Sequence, residues 1–162
     1  RQVKPVDPVL VRAYVEGVLK TVVLMLFILA GNLLEFDLFP ENVWQAAFGW
    51  ASLWALGLGM GLTFSVLGSL VPEIRHIVQI ISLPLLILSG VIIPLNFLPH
   101  DLLVYLMYNP IVHGLEVLRD GFFTHYYALP GTDITYLWYW VLGFNALGLM
   151  LHLRFEQRLK AK

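Results

Sequence analysis

The chain has no cysteine, so disulfides, thiolate metal sites and a cysteine nucleophile are all excluded. Charge is scarce too. Only 13% of the residues are Asp, Glu, Lys or Arg, where soluble domains carry about 25%. No Gly-x-x-x-x-Gly-Lys-Ser/Thr loop occurs, which excludes a phosphate-loop ATPase within the chain itself. The serines are Ser52, Ser65, Ser69, Ser82 and Ser89, and none sits in a Gly-x-Ser-x-Gly turn. The formal net charge of -1 gives no electrostatic footprint for nucleic acid. Nothing in the sequence calls for a cofactor or a metal. The chain opens at Arg1 with neither Met nor a signal core, and reads as a fragment that starts inside a longer protein.

What is abundant is apolar surface: 59% of the 162 residues are hydrophobic and the mean hydropathy is +0.77. A soluble protein of this size buries only about 70% of its surface, so this composition would leave large apolar areas in water. Lipid removes the difficulty. A spanning helix needs about 20 mostly apolar residues, at 1.5 Å each, to cover roughly 30 Å of hydrocarbon. Four stretches qualify: Ala13 to Leu34, the charge-free run from Asn42 to Pro72, Ile77 to Leu95, and Ile134 to Leu153. Glu35 to Asn42 forms a short acidic link containing Pro40, and Val71 to His76 forms a second short link. Asn96 to Asp133 is longer, with Pro99, Pro110 and Pro130, and predicts two short helices. Asp101 caps the first, which runs through Tyr108. Asn109-Pro110 breaks it, and the second runs from Ile111 to Asp120 before Gly121. The expected fold is an all-α membrane protein with four transmembrane helices and a re-entrant or interfacial helical hairpin between spans three and four.

Orientation follows from Lys and Arg at the span ends. Arg1, Lys4, Arg12, Lys20, Arg75, Arg154, Arg158, Lys160 and Lys162 fall on one side, and only Arg119 on the other. Both ends of the fragment and the link at Arg75 are expected in the cytoplasm. The acidic link and the long segment then face outward, with Tyr136, Trp138, Tyr139 and Trp140 at the outer interface.

Three features could carry function. In the second span small residues recur at Gly57, Gly61, Ser65 and Ser69, beside a row of Ala51, Ala55, Gly59 and Thr63. Such rows let helix backbones approach closely, within one subunit or across a dimer seam. In the long segment His113 and Glu116 stand one turn apart, a weak metal signal. Glu116 and Arg119, at i and i+3, suit an ion pair instead. Phe122, Phe123, Tyr126 and Tyr127 could stack on sugar rings or form an interfacial belt.

Arg1-Gln-Val-Lys-Pro-Val-Asp7, the span layout, Tyr108-Asn-Pro-Ile-Val-His-Gly-Leu-Glu-Val-Leu-Arg119 and the basic tail together resemble the membrane subunit of ABC-2 type exporters, bacterial capsule polysaccharide export permeases in particular. The resemblance covers residues 1–162 and implies one ABC-2 type transmembrane domain, partial, lacking an N-terminal part with two further spans. It implies a permease that moves lipid-linked polysaccharide across the bacterial inner membrane, paired as a homodimer with separate ATP-binding cassette subunits. Arg1, Lys4, Pro5 and Asp7 would then meet the ATPase subunit, with Glu73 and Arg75 as further contacts. Asn109, Pro110, His113, Glu116 and Arg119 would shape the outer gate. An exporter of O-antigen, teichoic acid, drug or lipid remains an alternative, as does a membrane-embedded transferase using His113 and Glu116 as acid and base.

Overall fold

The structure is a computed structural model that describes residues 4–92, 95 and 98–157. Among these it contains six helices and no strand: α1 Asp7–Leu33, α2 Val43–Leu70, α3 Glu73–Leu88, α4 His100–Leu106, α5 Pro110–Phe122 and α6 Ile134–Arg154.

Local sequence accounts for most of the boundaries. Pro8 lies in the first turn of α1, where its missing N–H costs no helical bond. This starts the helix ahead of the apolar run, so α1 takes in Arg12. Glu35, with φ of 63°, takes the left-handed turn after α1, two residues before Asp37 and well ahead of Pro40. Asn42 caps α2 by accepting from Gln45 N–H at 3.2 Å. Asp133 caps α6 by accepting from Thr135 N–H at 2.7 Å, a bond that holds its carboxyl below the usual carboxylate range.

Three helices, α1, α2 and α6, are long and apolar enough to cross a membrane. The third apolar stretch behaves differently from the expected span at Ile77 to Leu95. Its helix starts at Glu73 and stops at Leu88, because Gly90 turns left-handed at φ 76°. Its 16 residues reach about 24 Å at 1.5 Å per residue. Two further details depart from the sequence reading. Asp101 is no cap: Pro99 holds the N-cap position of α4 without a side-chain bond, and Asp101 lies in the first turn. α4 also ends at Leu106 and α5 runs on through Gly121 to Phe122.

The core forms along α2. α6 runs parallel to it, with Phe48 stacked near Trp138 at one end and Ser65 bonded to His152 at the other. Leu56, Leu137 and Val141 are buried between them. Close approach depends on Gly59 and Gly148. A Cβ at Gly59 would lie 2.9 Å from the backbone nitrogen of Asn145, and one at Gly148 would lie 3.0 Å from that of Thr63. The gap is bridged by Thr63 Oγ1 donating to Phe144 O at 3.1 Å and Asn145 Nδ2 donating to Ala55 O at 3.0 Å. In lipid there is no hydrophobic drive between helices, so such close contact and bridging bonds hold the pair.

α1 lies antiparallel to α2 and touches it mainly at one crossing. There Trp54 Nε1 donates to Ala13 O at 3.0 Å and Trp50 Nε1 to Thr21 Oγ1 at 3.1 Å. Beyond the crossing the two helices diverge and leave a cleft of about 760 Å³, lined by Arg12, Glu16, Lys20, Gly57, Gly61 and Ser65 among others. α3 buries none of its residues, and most of its large apolar side chains are exposed.

Candidate functional site

α5 is the most enclosed short element. It runs antiparallel to the first half of α2, with Gly121 against Ala46, Gly49 against Leu118, and Gly114 against Leu53. Leu53 is ten residues into α2, so the start of α5 sits about 15 Å along α2 from its beginning. Asn109 accepts from Ile111 N–H at 3.1 Å and so caps α5, while Pro110 takes the first helical position. Leu95, Val112 and Leu129 form a small core beneath the α4–α5 pair, joined by Leu103, Leu106 and Met107 of α4 and its end. The start of α2 is tied to the far end of α5: Asn42 N–H donates to Gly121 O at 3.0 Å and Gln45 Nε2 to Asp120 Oδ2 at 2.5 Å.

Within this frame sits Glu116, with 0% of its surface exposed. A carboxylate so placed must have all its lone pairs occupied. Arg119 NH1 donates to Oε1 at 3.1 Å, forming the ion pair the spacing predicts. Tyr126 Oη lies 2.8 Å from both carboxylate oxygens, and Leu129 N–H donates to Oε2 at 3.1 Å. Burial, then the bond to Glu116, push the Tyr126 phenol up to about 12, so it stays protonated and donates. The second arm of Arg119, NH2, donates to the carbonyl of Gly90, just after α3. One carboxylate thereby joins α5 to the loop after it, and through Arg119 to the end of α3.

His113, 3% exposed, serves a parallel purpose one turn earlier. Asp133 N–H donates to its Nδ1 at 3.0 Å, so the proton lies on Nε2, which donates to Met107 O at 2.8 Å. Its ring meets Tyr136 edge-on at 5.0 Å, and Tyr136 Oη donates to Tyr108 O at 2.9 Å. His113 thus ties the α4–α5 break to the start of α6. Asn109, Pro110, His113, Glu116 and Arg119 belong to one connected region.

The other sequence candidates lie apart from it. Arg1 falls outside the described residues, as do Arg158, Lys160 and Lys162. Lys4 and Asp7 close the turn that opens α1, with Lys4 N–H donating to Asp7 Oδ2 at 3.0 Å and Pro5 inside the turn. Glu73 opens α3, and the Arg75 side chain packs on Gly68. Because α1 and α2 are antiparallel, the start of α1 and the α2–α3 turn lie at the same end of the molecule, opposite the α4–α5 pair. Of the small row, Ser65 Oγ donates to Leu62 O at 2.9 Å and lies 3.1 Å from His152 Nε2, and Ser69 Oγ donates to Val66 O at 2.7 Å. Gly57 and Gly61 face the cleft, and a Cβ on either would meet nothing within 4 Å. The close contacts belong to the neighbouring row, at Gly59.

Leu129, Ser89 and Gly90 were not singled out as site residues by sequence, and Tyr126, read there as a sugar-stacking or interfacial aromatic, binds Glu116 instead. Ser89-Gly90 after an apolar run carries the signal of a helix end. Tyr126 and Leu129, ten and thirteen residues beyond Glu116, carry no signal of a bond to it.

The family model described as ABC-2 type transporter matches residues 2–123. Two Escherichia coli proteins, both named polysialic acid transport protein KpsM, are 32% and 31% identical over 156 residues, which is 94% of this chain and 58% of theirs. The capsule polysaccharide export inner-membrane protein CtrC of Neisseria meningitidis is 24% identical over 123 residues, 76% of this chain and 46% of its own. The chain therefore spans about half the length of these relatives.

Proposed function

Because the chain belongs to the ABC-2 type transporter family, we propose that it forms the membrane-spanning permease part of an ATP-driven exporter that moves capsular polysaccharide, lipid-linked, across the bacterial inner membrane. The observation that carries this reading is similarity to polysialic acid transport proteins along almost the whole chain and to a capsule polysaccharide export protein over three quarters of it, in a molecule whose long helices are apolar on their outer faces.

On this reading α1, α2 and α6 cross the bilayer, and α3 with the residues after it completes a fourth crossing. The α4–α5 pair is a re-entrant hairpin at the outer mouth. Its support is the depth of α5 beside α2 and the complete pairing of Glu116, both needed where water is excluded. Both ends of the fragment lie in the cytoplasm, with Lys4, Pro5, Asp7, Glu73 and Arg75 gathered there to meet a separate ATP-binding cassette subunit. Two permeases pair as a homodimer, with Gly57 and Gly61 open to helix packing beyond this chain. A transferase using His113 and Glu116 is disfavoured, because both ring nitrogens and both carboxylate oxygens are held by structural partners.

The reading is tested by expressing the full-length protein with its ATP-binding subunit in a capsule-export null strain. Copurification of the two and return of surface polysaccharide are expected, with Lys4→Glu and Arg75→Glu lowering export at normal membrane levels. Purification without any ATP-hydrolysing partner, or no surface polysaccharide, would overturn it.

A further inference from the structure

Among the described residues, the contacts that fix α3 lie at its two ends. None of its residues from Glu73 to Leu88 is buried, and Arg75 packing on Gly68 fixes its start to α2. At its other end the burial changes abruptly: Ser89 is 1% exposed and Gly90 is buried. Two side chains of the α4–α5 pair reach this point. Asn109 Nδ2 donates to Ser89 Oγ at 2.9 Å, while the same amide's Oδ1 caps α5. Arg119, already paired with Glu116, donates to the Gly90 carbonyl.

The backbone here is built to bend. Pro84 removes one helical bond inside α3, and Gly90 adopts a left-handed φ that disfavours side chains. The Ser89 hydroxyl donates back to Leu85 O at 2.6 Å, so its lone pairs are free for Asn109. An axial or lateral shift of α3 therefore breaks two side-chain bonds and leaves the helical ladder of α5 intact. Gly90 is buried, and the bond from Arg119 gives its carbonyl a donor.

We propose that Ser89 and Asn109, with the Arg119 to Gly90 contact, are positioning residues for export: a releasable joint through which α3 sets the position of the α4–α5 hairpin. This rests on the permease reading, and the end of α3 attached near Arg75 is the one that reading places beside the ATPase subunit. α3, tied at its two ends among the described residues, then acts as the rod that carries the stroke. The hairpin follows as a unit because Glu116, Tyr126 and Leu129 bind its far side together.

The test uses the full-length transporter with its ATPase subunit, carrying Ser89→Cys and Asn109→Cys, which add the first thiols to this stretch of chain. A short, reducible bifunctional thiosulfonate is the probe. In the absence of nucleotide the pair is expected to cross-link efficiently, and ATP turnover should lower the yield several-fold. The cross-link should stop export, and reductant should restore it. Export that continues through the cross-link, a yield indifferent to ATP, or no cross-link at all would overturn the joint. Loss of export in the wild-type complex would instead overturn the permease reading. Ser89→Ala, which removes the acceptor but leaves the α5 cap, should reduce export several-fold at unchanged membrane level, and wild-type export by that variant would also count against the joint.

Discussion

Arg119→Met in the full-length protein is expected to lower its unfolding midpoint sharply and abolish export, whereas the same change combined with Glu116→Gln is expected to recover much of the lost midpoint. Glu116 is completely buried, and removing its one cationic partner among the described residues leaves an uncompensated charge, which costs about 3–5 kcal/mol in comparable buried pairs. Neutral Gln at 116 needs no counter-charge, yet its carbonyl still accepts from Leu129 N–H or Tyr126. The double variant then loses mainly the bond from Arg119 to Gly90. Thermal unfolding in detergent and surface polysaccharide, measured on the two singles and the double, give the coupling directly. Equal, additive effects would place the pair in a wet environment and remove its proposed role. An exposed i,i+3 pair would contribute only about 0.3–0.5 kcal/mol, so the two cases are well separated.

The second large effect is expected at the α2–α6 contact. Gly59→Leu and Gly148→Leu should each prevent a properly packed protein, because even a Cβ at these positions comes within 3.0 Å of the facing backbone. Overpacking typically costs about 1–3 kcal/mol, and backbone that cannot yield puts these sites at or above the top of that range. The separation would also break the Thr63 and Asn145 bridges. Gly57→Leu and Gly61→Leu serve as the comparison. Nothing in the described chain opposes them, so loss of assembly there, with the monomer fold intact, would show that this row packs on another helix of the complex. If all four changes were equally harmless, small residues would not be setting helix distance at all.

How far the sequence could be read depended on the range of the interaction. The α2 and α6 boundaries were legible because charge-free runs, Asn42 and Asp133 mark them locally. So was the Glu116 and Arg119 pair, since one helical turn fixes their distance. The partners that enclose that pair were not legible: they are Tyr126, Leu129 and Gly90, which meet it only after the chain has folded back. The helix bounds of the third stretch were missed for a simpler reason. Hydropathy sees an unbroken apolar run through Leu95, but backbone conformation at Gly90 ends the helix at Leu88. The two small rows on α2 looked alike by spacing, and only the position of α6 shows that Gly59 belongs to the closer contact.

The central claim, that the chain crosses the membrane with the α4–α5 hairpin at its outer mouth and the α2–α3 turn in the cytoplasm, is tested most directly by thiol accessibility in intact cells. Single Tyr127→Cys, Ile111→Cys and Arg75→Cys variants of the full-length protein, free of other cysteines, would be treated with a membrane-impermeant maleimide. Tyr127, 82% exposed, should label from outside, Ile111 should stay protected, and Arg75 should label only after the cells are opened. Labelling of Arg75 in intact cells, with Tyr127 protected, would contradict the account.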